Sequence, residues 1–312
     1  MSKISVIVPC YNEEDVLNLF YEELINTLNT IELEYNYEII FIDDGSKDKT
    51  LEILKHLRKQ NYNINIISFS RNFGKEAAIY AGLNNCTGDY VVLMDADLQH
   101  PPKIILEMLE DITLNGFDVV ATKRKNRNGE PALKKLFSKT FYFLMNKFIP
   151  MEQGVQDFRM MKKEVVESIL SLKEYNRFSK GIFAWIGFNV KYISIENIER
   201  HMGKTKWSFK NLFSYAIEGI VSFTTAPLRI ATIIGIIISI LSIIFAAIIV
   251  IQTLAMGKDV PGYASIITSV LFIGGIQLLT IGILSEYISK MYLEIKNRPK
   301  YIIKENIQNV DK

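Results

Sequence analysis

Cysteine is nearly missing from this chain: Cys10 and Cys86 are the only two in 312 residues, and neither lies in a CxxC or Cys/His spacing. That excludes a disulfide framework and a thiolate metal site, and leaves two reduced, structural thiols. Net charge is scarce as well, at a formal +2. The chain therefore has no general basic field, and nucleic acid is not an expected partner. No G-x-G-x-x-G follows the first apolar run, which disfavours a nicotinamide or flavin site. Of the three histidines, His56 falls on a helical stretch and is expected to be exposed, while His100 and His201 lie beside charged motifs from which phosphate could be reached. No leader-like segment precedes the first strand-like run, so the N-terminus is expected in the cytosol.

Apolar residues, at 49%, suffice for a sizeable core and a membrane segment. Up to residue 122, β-rich runs at 4–9, 37–43, 63–70, 90–95 and 117–122 alternate with helical stretches at 13–29, 47–60, 75–85 and 102–114. Such a βαβ series predicts an α/β fold with a mainly parallel, doubly wound sheet, whose ligands sit at the carboxyl ends of the strands. Beyond it the pattern loosens. Residues 131–148 mix Lys134, Lys135, Lys139 and Lys147 with Leu, Phe and Tyr, an amphipathic stretch suited to a lipid head group. Residues 207–226 are aromatic and moderately apolar, as a helix lying in a membrane interface would be.

The composition then changes abruptly. Residues 230–256 carry no charge over 27 positions and residues 266–284 none over 19; at 1.5 Å per residue each can cross a hydrocarbon core of about 30 Å. The short Gly/Pro-containing linker between them predicts a helical hairpin. Arg229, Lys290, Lys296, Arg298, Lys300 and Lys304 flank it, against Lys258 alone in the linker, so the positive-inside rule places both termini in the cytosol of a two-span membrane protein. Gly274, Gly275 and Gly282 give the second span a small-residue surface on which helices could pack, within the hairpin or between copies in a homo-oligomer. The resulting division is 1–206 a cytosolic α/β domain, 207–226 an interfacial helix, 227–290 the hairpin, with spans at about 229–256 and 264–288, and 291–312 a cytosolic tail.

Three polar clusters close predicted strands. Asp95-Ala96-Asp97-Leu98-Gln99 follows the fourth strand; side chains two apart share a face, and paired hard oxygens suit Mg²⁺ or Mn²⁺ bridged to a diphosphate. With twelve aspartates in the chain, a lone D-x-D is expected about half a time by chance, so its weight comes from its place after an apolar strand and before the Pro101-Pro102 helix start. Pro9-Cys10-Tyr11-Asn12-Glu13 closes the first strand and offers an aromatic face to a base. Asp43-Asp44-Gly45-Ser46 closes the second, where carboxylates could accept from a base and reach ribose hydroxyls. Either of these two, alone, reads better as a helix cap or a turn; three clusters on one sheet edge shift the balance towards a site.

In order, PCYNEE (9–14), DDGS (43–46), SRNFGKEAAIYAGL (70–83), DADLQHPP (95–102), DFR (157–159) and RHMGKTKWS (200–208), ending in a two-span hairpin, resemble the inverting family 2 glycosyltransferases. The resemblance is narrower still to their polyprenyl-phosphate branch, the bactoprenol glucosyltransferases and dolichol-phosphate mannose synthases. It implies a GT-A fold and transfer of a hexose from a nucleotide-sugar donor to a polyprenyl phosphate at the cell membrane. Pro9, Tyr11, Glu13, Asp43 and Asp44 would surround the nucleoside, and Asp95, Asp97 and Gln99 would hold the metal and diphosphate. Asp157 would sit by the sugar with Arg159 beside it, as a base or as an orienting group. Arg124, Ser138 and Lys134 would meet the acceptor phosphate; Lys134 stands where a mannose synthase has Arg, which forfeits bidentate geometry. Arg200 and Lys206 would clamp diphosphate in a loop that Gly203 lets close. The composition points to undecaprenyl phosphate as acceptor, and UDP-glucose leads GDP-mannose and UDP-GlcNAc as donor by resemblance alone. A processive polysaccharide synthase shares the nucleotide site, but as a family carries Gln-x-x-Arg-Trp and further spans; a non-catalytic nucleotide-sugar sensor would not need the carboxylate set.

Overall fold

The computed structural model describes residues 1–125, 152–196, 221, 224–256 and 262–308. The chain divides into two compact units, Met1–Leu212 with Arg298–Lys312, and Phe213–Asn297.

In the first unit, β1 (Lys3–Cys10), β2 (Asn36–Asp43), β3 (Ile64–Phe69) and β4 (Tyr90–Leu93) alternate with helices α1 (Leu17–Asn29), α2 (Thr50–Gln60) and α3 (Lys75–Asn85). They continue into α4 (Ile104–Thr113), β5 (Val119–Arg124), β6 (Val155–Lys162), α5 (Lys163–Ser171), α6 (Ser179–Trp185) and β7 (Val190–Ile195). A last strand, β8 (Ile303–Ile307), follows the hairpin in sequence. The eight strands form one sheet in the order β7-β5-β6-β4-β1-β2-β3-β8. Its middle, β4-β1-β2-β3, is parallel throughout, as the βαβ alternation predicts. Antiparallel β6 and β8 border it on either side.

Period-2 patterning decides which helix covers which face. Ile4, Val6 and Val8 of β1 pack with Leu17, Phe20 and Leu24 of α1 and with Leu54 and Ile105 in one buried cluster. Ile7, pointing the other way, meets α3 at Gly82, where a Cβ would overlap the Ile7 side chain; only glycine lets that helix sit so close to the sheet. Both faces are thus covered, and the carboxyl ends of β1, β2 and β4 are left to form a rim.

In the second unit, α7 (Ala226–Met256) and α8 (Tyr263–Ile295) are each longer than the roughly 20 residues a span needs. Ile240, Leu241, Phe245, Leu271, Phe272 and Leu279 stand exposed on them, which is the surface expected of helices whose solvent is lipid. The stretches read from sequence as acceptor-side (131–148) and as the clamp loop (200–206) lie outside the described residues, as does nearly all of 207–226.

Candidate active site

The loops after β1 and β2 are stitched to each other. Asn12 N–H donates to Ser46 Oγ (3.0 Å), Lys47 N–H to Asn12 Oδ1 (2.9 Å), Glu13 N–H to Thr50 Oγ1 (2.9 Å) and Asp44 N–H to the Cys10 carbonyl (2.9 Å). The loop after β3 is tied in by Asp44, whose carboxylate accepts the N–H groups of Phe73 (2.6 Å) and Gly74 (2.9 Å). Burial raises the Asp44 carboxyl while those two N–H groups pull it down, and the net direction is upward. Gly45, at φ 66°, packs against the Arg71 backbone so closely that a Cβ would come within 2.8 Å of the Arg71 Cα and carbonyl oxygen. Gly45→Ala is therefore expected to cost about 3 kcal/mol, from left-handed strain and a backbone clash together. Urea unfolding of the variant measures it, and a midpoint equal to that of the parent would contradict this packing.

Between these loops lies a cavity of about 250 Å³ lined by Pro9, Tyr11, Glu13, Asp44, Lys75, Asp95 and Asp97, among others. Asp95 and Asp97 project from the turn after β4, where Leu98 takes φ 57° and Gln99 N–H donates back to Asp97 Oδ1 (3.2 Å). Asp157 comes from β6. That strand pairs antiparallel with β4 in the register Leu93↔Arg159; continued by two residues, it puts Asp157 opposite Asp95. The Lys75 ammonium bridges them, at 2.7 Å from Asp95 Oδ1 and 2.6 Å from Asp157 Oδ2.

Electrostatics follow from this arrangement. Burial alone would raise the Asp157 carboxyl, but the cations Lys75, Lys180 and Arg159 outweigh it and hold Asp157 well below the ordinary carboxylate range. Burial would lower Lys75, and Asp157 and Asp95 overcome it, raising that ammonium above its usual value. Arg159 is 3% exposed, donates to the Asp157 and Gln156 carbonyls, and lies 3.6 Å over the Phe183 ring; burial brings it down to about 10 against the pull of Asp157. Glu76 accepts from Ser179 N–H and Oγ at the start of α6, and burial pushes its carboxyl up. Cys10, buried among carboxylates, is raised well above the usual thiol range, in keeping with an inert thiol.

Of the residues singled out from sequence, Pro9, Tyr11, Glu13, Asp44, Asp95 and Asp97 share the cavity wall, and Asp157 joins them through Lys75. Asp43 is elsewhere: it is 1% exposed and accepts from Ser46 N–H (3.0 Å) and Ser68 Oγ (2.7 Å), so it braces the turn from within. Gln99 is not on the wall. Arg124 stands exposed at the end of β5, its N–H bonded to the Gly154 carbonyl (3.1 Å). His100 is buried against Phe158, off the wall, and burial lowers its pKa despite Asp95 and Asp97 nearby. His56 is exposed, as expected. Lys134, Ser138, Arg200 and Lys206 lie outside the described residues. Lys75 has no motif of its own to mark it, although the Gly74-Lys75 pair after the third strand lies at the same strand edge as the three polar clusters.

Comparison with known proteins agrees along nearly the whole chain. Residues 5–170 match the model of Glycosyl transferase family 2, and residues 226–291 that of the GtrB C-terminal hairpin. A putative glycosyltransferase of Bacillus subtilis (strain 168), CsbB, is 46% identical over 311 residues, covering 99% of this chain and 93% of its own length. The SfII prophage-derived bactoprenol glucosyl transferase of Shigella flexneri is 42% identical over 306 residues, covering 97% and 98%. The bactoprenol glucosyl transferase of Shigella phage SfV is 42% identical over 308 residues, covering 98% and 99%.

Proposed function

The chain belongs to glycosyl transferase family 2, and from that premise we propose that it moves a glucosyl group from UDP-glucose to undecaprenyl phosphate, with inversion at the anomeric carbon. The observation that carries the reading is the cavity at the carboxyl ends of the parallel strands, walled by Asp95 and Asp97 with Asp157 tied to Asp95 through Lys75, in a chain that also carries the GtrB hairpin. Relatives named bactoprenol glucosyl transferase over nearly the full length support the acceptor and the sugar. GDP-mannose and UDP-GlcNAc are the rival donors, because a few pocket contacts decide which hexose is accepted.

The carboxylate pair fits a Mg²⁺ or Mn²⁺ ion. Asp95 and Asp97 offer hard oxygens, and Asp95 with Asp157 already keeps a cation, the Lys75 ammonium. No cluster of three His, Cys, Asp or Glu ligands converges among the described residues, so the donor's diphosphate and water would complete the coordination, as is usual for Mg²⁺. Once bound, the ion would neutralise charge building on the departing nucleoside diphosphate. Pro9, Tyr11, Glu13 and Asp44 surround the nucleoside, with Asp43 bracing the turn that presents Asp44. Gln99 fixes the Asp97 carboxylate through its backbone N–H, and Asp157, steadied by Arg159, faces the sugar. Arg124, Lys134 and Ser138 receive the acceptor phosphate, and Arg200 and Lys206 close over the diphosphate. The acceptor, a phosphate monoester with a second pKa of about 6, is mostly dianionic at neutral pH and attacks in line without a base. The hairpin keeps the enzyme in the membrane that holds the acceptor, with the catalytic domain and both termini on the cytosolic side.

Purified protein given undecaprenyl phosphate, Mg²⁺ or Mn²⁺, and each nucleotide sugar in turn is expected to yield a lipid heavier by one hexose with UDP-glucose, read by mass spectrometry. A product formed only from another donor would correct the sugar. Absence of both lipid product and nucleoside diphosphate release with every donor would sink the reading.

A further inference from the structure

Lys75 occupies an electrostatically awkward place. It is the first residue of α3, directly after Gly74 at φ 97°, where the helix dipole disfavours a positive charge. Its neighbour Glu76 has the sign that a helix start prefers, yet is turned towards Ser179. A lysine at this end is held by what it reaches, and it reaches two carboxylates, one in the turn after β4 and one on β6, 20 and 82 residues away in sequence. Its side chain is still 43% exposed, so the four-carbon stem lies along the wall with room to swing.

Both partners are groups that the proposed reaction needs for other work. Asp95 would bind the divalent cation, and Asp157 would face the sugar. A compact ammonium with three donors is also suited to diphosphate oxygens, as a point charge that does not depend on bidentate geometry.

Resting on the nucleotide-sugar reading of this cavity, we propose that Lys75 is a donor-binding residue that exchanges partners: its ammonium ties Asp95 to Asp157, competes with a divalent cation for Asp95, and moves onto the diphosphate as the donor enters, releasing both carboxylates. Donor binding and the arming of Asp157 are then one event. Metal alone binds weakly, because it must displace the ammonium without offering it a new partner.

The test separates two binding steps that a merely structural lysine would not move in opposite directions. Mn²⁺ binding to the full-length protein in detergent is followed by the loss of the free-ion electron paramagnetic resonance signal with Mn²⁺ alone, and binding of UDP or GDP at saturating Mn²⁺ is followed by isothermal titration calorimetry. Lys75→Met is expected to bind Mn²⁺ alone about tenfold tighter than the parent, because the competing charge is gone, and to bind the nucleoside diphosphate about tenfold or more weaker. Lys75→Arg, which keeps the charge, is expected to stay near the parent in the first titration. Lys75→Gln provides a second neutral side chain of polar character and should follow Lys75→Met. Neutral variants that bind Mn²⁺ no tighter than the parent, or bind nucleotide equally well, overturn the exchange. A parent protein that binds neither UDP nor GDP with Mn²⁺ would instead overturn the nucleotide-sugar reading on which it rests.

Discussion

Asp157→Asn is expected to lower kcat by about 10³-fold while leaving the fold in place, the scale usual for removing one charged group at a reacting centre. The change is isosteric and removes only the charge. Its pH dependence carries the mechanistic content. Burial raises the Asp157 carboxyl, but Lys75, Lys180 and Arg159 overcome it and hold it well below the ordinary carboxylate range, so in the free enzyme, which kcat/KM reports, Asp157 is a carboxylate at neutral and mildly acidic pH. In the free enzyme such a group is a poor proton acceptor; once Lys75 moves onto the diphosphate, Lys180 and Arg159 still flank Asp157, which then serves as a fixed negative charge beside a developing oxocarbenium. The acidic limb of kcat/KM should then come from the acceptor phosphate, near its second pKa of about 6. The expected result is a profile that drops as a whole in Asp157→Asn and keeps its acidic limb. Disappearance of that limb in the variant would make Asp157 a general base instead.

The parallel half of the fold is legible because short apolar runs alternate with helix-forming stretches: β1 to β4 fall within a residue or two of the apolar runs, and α3, although it has no marked apolar face, begins and ends where its composition says. The carboxylate site was legible for a related reason. In a doubly wound sheet, the polar residues that close successive strands share an edge, so Tyr11, Asp44 and Asp95 could be brought together before any coordinates. What the sequence hid is contact across distance. Nothing local marks Lys75 as the partner of Asp157, since that ion pair depends on β6 entering beside β4 in the antiparallel sense. Nor could adjacent aspartates be told apart. Asp43 closes its strand against Ser68 on β3, whereas Asp44, one residue later, turns to the Phe73 and Gly74 amides, and only the packed neighbour decides which does which. The strand after the hairpin was invisible for a third reason. Ile303–Ile307 reads Ile-Lys-Glu-Asn-Ile and stays largely exposed at the sheet edge, so it has almost no apolar alternation to set it apart from the tail expected over 291–312.

That edge strand is nevertheless expected to be worth several degrees of thermal stability. β8 pairs Ile66↔Ile307, Ile67↔Asn306, Ser68↔Glu305 and Phe69↔Ile303, and Ser70 N–H donates to the Ile302 carbonyl (2.9 Å). Just before it, the Tyr301 ring stacks on Phe69 at 4.9 Å between centroids and meets Tyr80 edge-on at 6.4 Å, while Lys300 lies 4.1 Å over Tyr80 and donates to the Lys173 carbonyl (3.1 Å). Ile307 packs against the main core. Losing the Tyr301 ring removes an aromatic stack and its share of buried area, about 2 kcal/mol for a half-buried ring, and so lowers Tm by about 4–8 °C for a domain of this size. Truncation after Asn297 should cost more, because it also strips β3 of its outer hydrogen-bond partner. The loss should extend to function. Ser68 on β3 is the residue that holds Asp43, and Asp43 braces the turn that presents Asp44 to the cavity. A loosened β3 should therefore raise the KM for the donor while leaving the acceptor KM near its parent value. Thermal unfolding and donor titration of Tyr301→Ala and of the truncated chain check both parts. Variants that melt within a degree of the parent would show that β8 covers the edge without stabilising it, and an unchanged donor KM would cut the path from β8 through Ser68 to Asp44.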